Sequence, residues 1–141
     1  MVERSAADEA LLELVRVAMD ASVRTAGDLG GLSPVQLRAL TALRLMGRAN
    51  LVQLADEMGV TVSTTSRLVD RLVAAEWVDR RPAESNRREI SLTLTDDGEA
   101  LLRRYDDGRV ARLHDCLDRV PPERRDSVLE ALTELARVAH R

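Results

Sequence analysis

The chain has 141 residues, with 21 Lys+Arg against 24 Asp+Glu, a net charge of −3 and one cysteine. That length fits one domain with a modest core, or a small module with dimerising extensions. Hydrophobic residues make up 45%, but Ile90 is the only isoleucine, and Trp77 and Tyr105 are the only aromatics. Helix formers are plentiful throughout, which argues against an all-β domain. Two rings cannot build a base-stacking platform for single-stranded nucleic acid. Every basic residue is Arg and none is Lys, which reads as a genome rich in G and C. No run of 18 apolar residues occurs, so no membrane span is expected. Met1-Val2-Glu3-Arg4 carries acid early and precedes no apolar signal core. The lone Cys116 cannot staple the chain, and a cytoplasmic location is expected.

Charge is distributed unevenly: residues 1–32 carry −3, residues 33–91 carry +2, residues 92–118 carry −3 and residues 119–141 carry +1. The positive excess lies in the middle of an acidic chain.

In chain order, Ser5 and Asp8 form a capping box. Behind it, Leu11, Val15, Ala18 and Ser22 make one helical stripe, and Leu12, Met19 and Val23 a second, until Gly27 to Gly31 break the helix. Ser33-Pro34-Val35-Gln36 is a strong helix start, and the nearly continuous apolar character from Val35 to Met46 predicts a central helix. Asn50-Leu51-Val52-Gln53 opens a short helix with Leu51, Leu54, Ala55 and Met58 on one face. Gly59 then supplies a turn. Thr61 caps the next helix, over 62–75, with Thr65, Leu68, Val69 and Leu72 inward. Two short amphipathic helices joined by about three residues form a helix-turn-helix.

Trp77-Val78-Asp79-Arg80-Arg81, a polar stretch to Arg88, and Glu89 to Leu94 in period-two alternation predict a hairpin with Ile90, Leu92 and Leu94 inward. Thr95 caps a long helix through Leu101, Leu102, Tyr105, Leu113, Cys116 and Leu117. Pro121-Pro122 ends it and begins a last helix carrying Val128, Leu129, Leu132, Leu135, Ala136 and Ala139.

A helix-turn-helix followed by a hairpin is the layout of a winged helix. The outer face of the 62–75 helix retains Ser63, Thr64, Ser66, Arg67, Asp70 and Arg71. Short hydroxyls at a helix N-terminus approach phosphates and base edges closely, and Arg67 is long enough for a bidentate contact with guanine. Asn86-Arg87-Arg88 sits at the hairpin tip, where a guanidinium can enter a narrow minor groove. The alternative for both sets is a solvated polar surface.

Together, Gly59-Val60, Ser66-Arg67-Leu68-Val69-Asp70-Arg71-Leu72, Trp77-Val78, Arg80, Arg87-Arg88 and Leu94-Thr95-Asp96-Asp97-Gly98 resemble the MarR-type (multiple antibiotic resistance) transcriptional regulators. The resemblance covers nearly the whole chain. It implies a mainly α fold with long N- and C-terminal dimerisation helices and one hairpin wing. The expected division is 1–32 and 99–141 for dimerisation and 33–98 for DNA binding. It further implies a homodimer on a pseudo-palindromic duplex, repressing until a small phenolic or aromatic acid ligand, or thiol oxidation, releases it. Ser63, Thr64, Ser66, Arg67, Arg71, Asn86, Arg87 and Arg88 are the expected DNA contacts. Family pattern pairs an acid of the recognition helix with a wing arginine, here Asp70 with Arg88. By analogy the effector pocket takes Arg16, Met19, Val23, Leu43, Met46 and Leu113. Three residues depart from the family pattern: Glu76 stands where glycine is usual, Asn86 where aspartate is usual, and Thr65 where valine or isoleucine is usual.

Cys116 lies on an apolar stripe and reads as core or dimer interface. His114 lacks metal-ligand spacing to it, and His140 lies near the C-terminus. No catalytic constellation, metal set or cofactor loop is present in the sequence. A protein-interaction module on a winged-helix fold that no longer binds DNA is the alternative function, in keeping with the acidic balance.

Overall fold

The computed structural model describes residues 4–139; Met1 to Glu3, His140 and Arg141 lie outside them. Among the described residues the order is α1 (Ala6–Asp28), α2 (Pro34–Met46), α3 (Leu51–Met58), α4 (Val62–Ala74), β1 (Val78–Pro82), β2 (Ile90–Leu94), α5 (Asp96–Leu117) and α6 (Pro122–Ala139). The fold is mainly helical with one winged helix-turn-helix, as the sequence predicts.

The helix starts are fixed locally. Ser5 donates to Asp8 Oδ2 from its N–H at 2.9 Å and from its hydroxyl at 2.8 Å. Those bonds, the backbone one foremost, hold the Asp8 carboxyl below the usual carboxylate range. Both predicted capping boxes on α2 and α3 close reciprocally. Ser33 N–H donates to Gln36 Oε1 at 3.0 Å and Asn50 N–H donates to Gln53 Oε1 at 2.9 Å, with each partner's N–H returned to the cap. Helix α1 runs through Gly27 to Asp28, one residue beyond the expected break, because Leu29 N–H still finds the Thr25 carbonyl at 3.2 Å.

Two compact units make up the described chain: residues 22–107, and residues 4–21 with 108–139. In the first, the core gathers Leu37, Leu40 and Leu43 of α2, Leu54 and Met58 of α3, Leu68, Val69 and Leu72 of α4, Val78 and Leu92 of the hairpin, and Leu101 and Leu102 of α5. Helix α2 is central as expected, though not on every face, since Val35 and Leu45 remain exposed. Leu43 belongs to this core with no exposed surface, so it cannot line an open pocket as the family analogy suggested. Thr65 is also fully buried. Its hydroxyl donates back to the Thr61 carbonyl at 3.0 Å, so a polar residue is tolerated at an inward position.

The hairpin is antiparallel, with Val78 opposite Leu94, Arg80 opposite Leu92 and Pro82 opposite Ile90. It is anchored by a feature that the sequence reading missed. Ala49, between α2 and α3, exchanges two backbone hydrogen bonds with Leu92, at 3.1 and 2.7 Å. Leu92 is fully buried and Leu94 half-buried, but Ile90 is 41% exposed, contrary to the expected inward triplet. Alternation is obeyed; Ile90 pairs with Pro82 at the far end of the ladder, and the core cluster does not reach it.

In the second unit, α6 has no buried residue. Leu129, Leu132, Leu135 and Val138 stay exposed at helical spacing, as do Leu11, Leu14 and Val15 on α1. Cys116 is exposed and therefore not core, because its stripe on α5 has left the packed region that ends near Tyr105. Among the described residues no helix is long and apolar enough to cross a membrane.

Candidate nucleic-acid interface

Helix α4 is aimed by its two ends. At its start, Thr61 caps through its hydroxyl, accepting the Thr64 N–H at 3.2 Å and donating to Thr64 Oγ1 at 2.9 Å. Gly59 makes the preceding turn with φ 66° and ψ 34°, a left-handed conformation that glycine takes without a Cβ clash. Arg38 of α2 adds a contact that sequence inspection passed over, donating from Nη2 to the Met58 carbonyl at 3.0 Å. A cation there satisfies an open carbonyl at the end of α3 and suits its dipole.

At its end, α4 closes in a Schellman motif. Trp77 N–H bonds the Leu72 carbonyl at 3.0 Å and Glu76 N–H bonds the Val73 carbonyl at 2.9 Å. This motif places its last residue but one at positive φ, and Glu76 sits there with φ 63°. The departure from glycine is thus accommodated with strain, and Glu76 is the only non-glycine residue of positive φ among those described.

The inward side of α4 is spent on the core, and Ser63, Thr64, Arg67, Asp70 and Arg71 are exposed, with Ser66 half-buried. Asp70 pairs with Nη2 of Arg80 on β1. The family analogy named Arg88 as that partner. Arg80 wins because β1 follows α4 directly and packs beside it, whereas Arg88 lies in the loop beyond the strands. Arg81 is likewise neutralised, with Nε 2.6 Å from Asp79 Oδ2.

In the wing loop, Asn86 Oδ1 accepts the Arg88 N–H at 3.0 Å and the Asn86 carbonyl accepts the Glu89 N–H at 2.9 Å. Asparagine here makes the same acceptor contact that an aspartate would, without its charge. Asn86, Arg87 and Arg88 are all exposed. No protein hydrogen bond or ion pair holds the guanidinium of Arg67, Arg71, Arg87 or Arg88 among the described residues. Four free cations therefore remain on α4 and the wing, while the two strand arginines serve as internal supports.

The residues of the supposed effector pocket are less unified. Arg16 is exposed and paired with Glu13 at 3.0 Å. Met19, Val23, Met46 and Leu113 are exposed, and Leu43 is core. Arg16, Met19 and Leu113 belong to one unit; Val23, Leu43 and Met46 belong to the other. No group of three or more His, Cys, Asp or Glu side chains gathers as a metal site would need, among the described residues.

The family model for the MarR family matches residues 32–90, the stretch from α2 to the wing. Over 107 residues the chain is 31% identical to an uncharacterized HTH-type transcriptional regulator, YfiV of Bacillus subtilis, across 75% of this chain and 66% of that one. The crystal structure of RV1404 from Mycobacterium tuberculosis is 31% identical and superposes with a TM-score of 0.83, covering 97% of this chain and 96% of that one. The chain belongs to the MarR family. A mutant of S. aureus MepR, solved bound to an oligodeoxyribonucleotide, shares the fold at a TM-score of 0.78 but only 14% identity, covering 96% of this chain and 99% of that one. The chain spans between about half and two thirds of the length of the curated relatives it matches, 66%, 54% and 49% for three of them.

Proposed function

We propose that the protein is a homodimeric, sequence-specific DNA-binding regulator of the cytoplasm, a repressor released by a small phenolic or aromatic acid. One observation carries the DNA-binding part: the only wing and recognition-helix arginines left without protein partners, Arg67, Arg71, Arg87 and Arg88, all lie on exposed surface. In this reading α4 enters the major groove. Ser63, Thr64 and Ser66 approach the backbone and base edges, Arg67 reads guanine and Arg71 meets phosphate. Arg87 and Arg88 reach the flanking minor groove, with Asn86 shaping the loop that carries them. The DNA-bound MepR mutant supports this use of the fold.

Residues 33–98 are the proposed DNA-binding region, and 1–32 with 99–141 the dimerisation region. The exposed apolar row on α6 supports the second assignment, since contiguous exposed apolar residues mark interaction surfaces. Two copies would place their recognition helices about 34–36 Å apart, in successive major grooves. Fluorescence anisotropy with a labelled duplex from upstream of the protein's own gene tests the proposal. Affinity should fall on the order of 10³-fold between 50 and 200 mM salt if six or more phosphates are met. Binding that ignores salt, or a monomer by sedimentation in dilute buffer, would sink it.

A further inference from the structure

A cleft of about 390 Å3 opens within the helix-turn-helix unit, between the start of α3 and the wing. Arg48, Ala49 and Gln53 line one wall, and Ala83, Glu84 and Ile90 the other. Several of its polar groups are already engaged. Asn50 and Gln53 are tied up in the α3 cap, and Glu89 accepts from Asn50 Nδ2. Arg48 and Glu84 are different: both are exposed, and neither has a hydrogen bond or ion pair. Two opposite charges thus stand on the two walls without meeting.

Ser91 adds an independent observation. Ser91 follows Ile90 on β2 and lines the cleft with it, while Leu92 lies in the core. Ser91 is only 9% exposed, and its Oγ has no hydrogen-bond partner. A buried hydroxyl left unsatisfied is destabilising, and native proteins rarely keep one without a use.

We propose that this cleft binds a small zwitterion of amino-acid size, with its carboxylate on the Arg48 guanidinium, its ammonium on the Glu84 carboxylate and a polar atom on Ser91 Oγ. Its apolar part would rest on Ala49, Ala83 and Ile90. The cleft lies at the small end of the range for ligand sites, roughly 300–1,000 Å3. A simple anion is disfavoured by Glu84 and Glu89 in the same cleft, and a simple cation leaves Arg48 without a partner. Only a ligand carrying both charges answers both walls. Once bound, it ties the wing to the start of α3.

The test is an NMR titration of the full chain without DNA, using glycine, 4-aminobutyrate and 6-aminohexanoate, with butyrate and butylamine as single-charge controls. At least one amino acid should give saturable shifts centred on Arg48, Glu84 and Ser91, with the controls at least about fivefold weaker. Arg48→Ala and Glu84→Gln should each weaken binding about five- to tenfold. Ser91→Ala should do likewise while folding as well as the parent, because it removes an unsatisfied hydroxyl. Equal binding of butyrate or butylamine, undiminished binding by the Arg48→Ala or Glu84→Gln protein, or no shift from any of the three amino acids overturns the proposal. Since no duplex is present, that failure leaves the DNA-binding reading standing.

Discussion

Gly98, in the first turn of α5, is the residue whose replacement the structure constrains most sharply. A Cβ built there would lie 2.2 Å from the Trp77 carbonyl oxygen, 3.1 Å from its carbon and 3.3 Å from its Cα. That obstacle is backbone, so no rotamer change relieves it, and the nearer contact is short of an ordinary one by more than about 1 Å. Nor is the carbonyl free to move, since it accepts the Thr95 N–H at 3.1 Å. Thr95 also donates its hydroxyl to the Glu76 carbonyl at 2.6 Å and accepts the Gly98 N–H at 3.0 Å. Gly98→Ala must therefore push the start of β1 away from α5. Overpacking costs about 1–3 kcal/mol, and a weakened hydrogen bond about 1 kcal/mol more. Against this, alanine gains about 1 kcal/mol of helix propensity. The net loss should be about 1–3 kcal/mol, lowering the midpoint by roughly 3–12 °C for a chain of this size. Gly27→Ala is the matched control: Gly27 also lies in a helix, and a Cβ there meets nothing within 4 Å. It should gain about 0.5–1 kcal/mol. Both are read by thermal and urea unfolding followed by circular dichroism at one protein concentration, since association shifts the midpoint. If Gly98→Ala proves as stable as the parent, the close approach is wrong.

Other expectations concern single residues. Glu76→Gly should be more stable by up to about 1.6 kcal/mol, the relief of left-handed strain (about 1–2 kcal/mol) less the entropy glycine returns to the unfolded chain (about 0.4–1 kcal/mol). Glu76→Ala should match the parent in the same urea titration, and a stabilised alanine variant would point to the carboxylate instead of the backbone. Arg87→Ala should weaken binding to all duplexes and reduce the salt slope by about 1, while Arg67→Ala should also relax base preference. Undiminished discrimination in a panel of mutated operators would remove Arg67 from direct readout. Asp8 is held below the usual carboxylate range by Ser5. Its contribution to the start of α1 is present above the ordinary carboxylate pKa and is lost as pH falls through the lowered value. Ser5→Ala should raise the Asp8 pKa only part of the way in an NMR carboxyl titration, because the Ser5 N–H still donates, and an unmoved midpoint would disprove the hydroxyl contact.

The wing shows how charge is sorted between support and display. Arg80 and Arg81 sit on β1 within reach of Asp70 and Asp79, and both are neutralised. Both pairs are partly exposed, so each contributes little to stability, of the order of 0–1 kcal/mol. The Arg80–Asp70 pair spans β1 and α4 and so fixes the base from which the loop arginines project, whereas the Arg81–Asp79 pair stays within β1. Asn86 keeps the loop turn without adding an acid beside Arg87 and Arg88.

What the residues determined by themselves is whatever depends on neighbours three or four positions away. The Ser5, Ser33, Asn50 and Thr61 caps, the Gly59 turn and the inward face of α4 at Thr65, Leu68, Val69 and Leu72 follow from helical period and short-range hydrogen bonds. The family motif carried the fold further, and Glu76, which stands where the family pattern has glycine, takes a positive φ of 63°. Tertiary structure decided the rest, because those features depend on register and on distances between elements remote in sequence. Asp70 chose Arg80 over Arg88, Ile90 passed beyond the edge of the core, Leu43 went into it, and Ala49 joined Leu92. Alternation specifies which side a strand residue faces, but only packing determines whether anything is there to cover it.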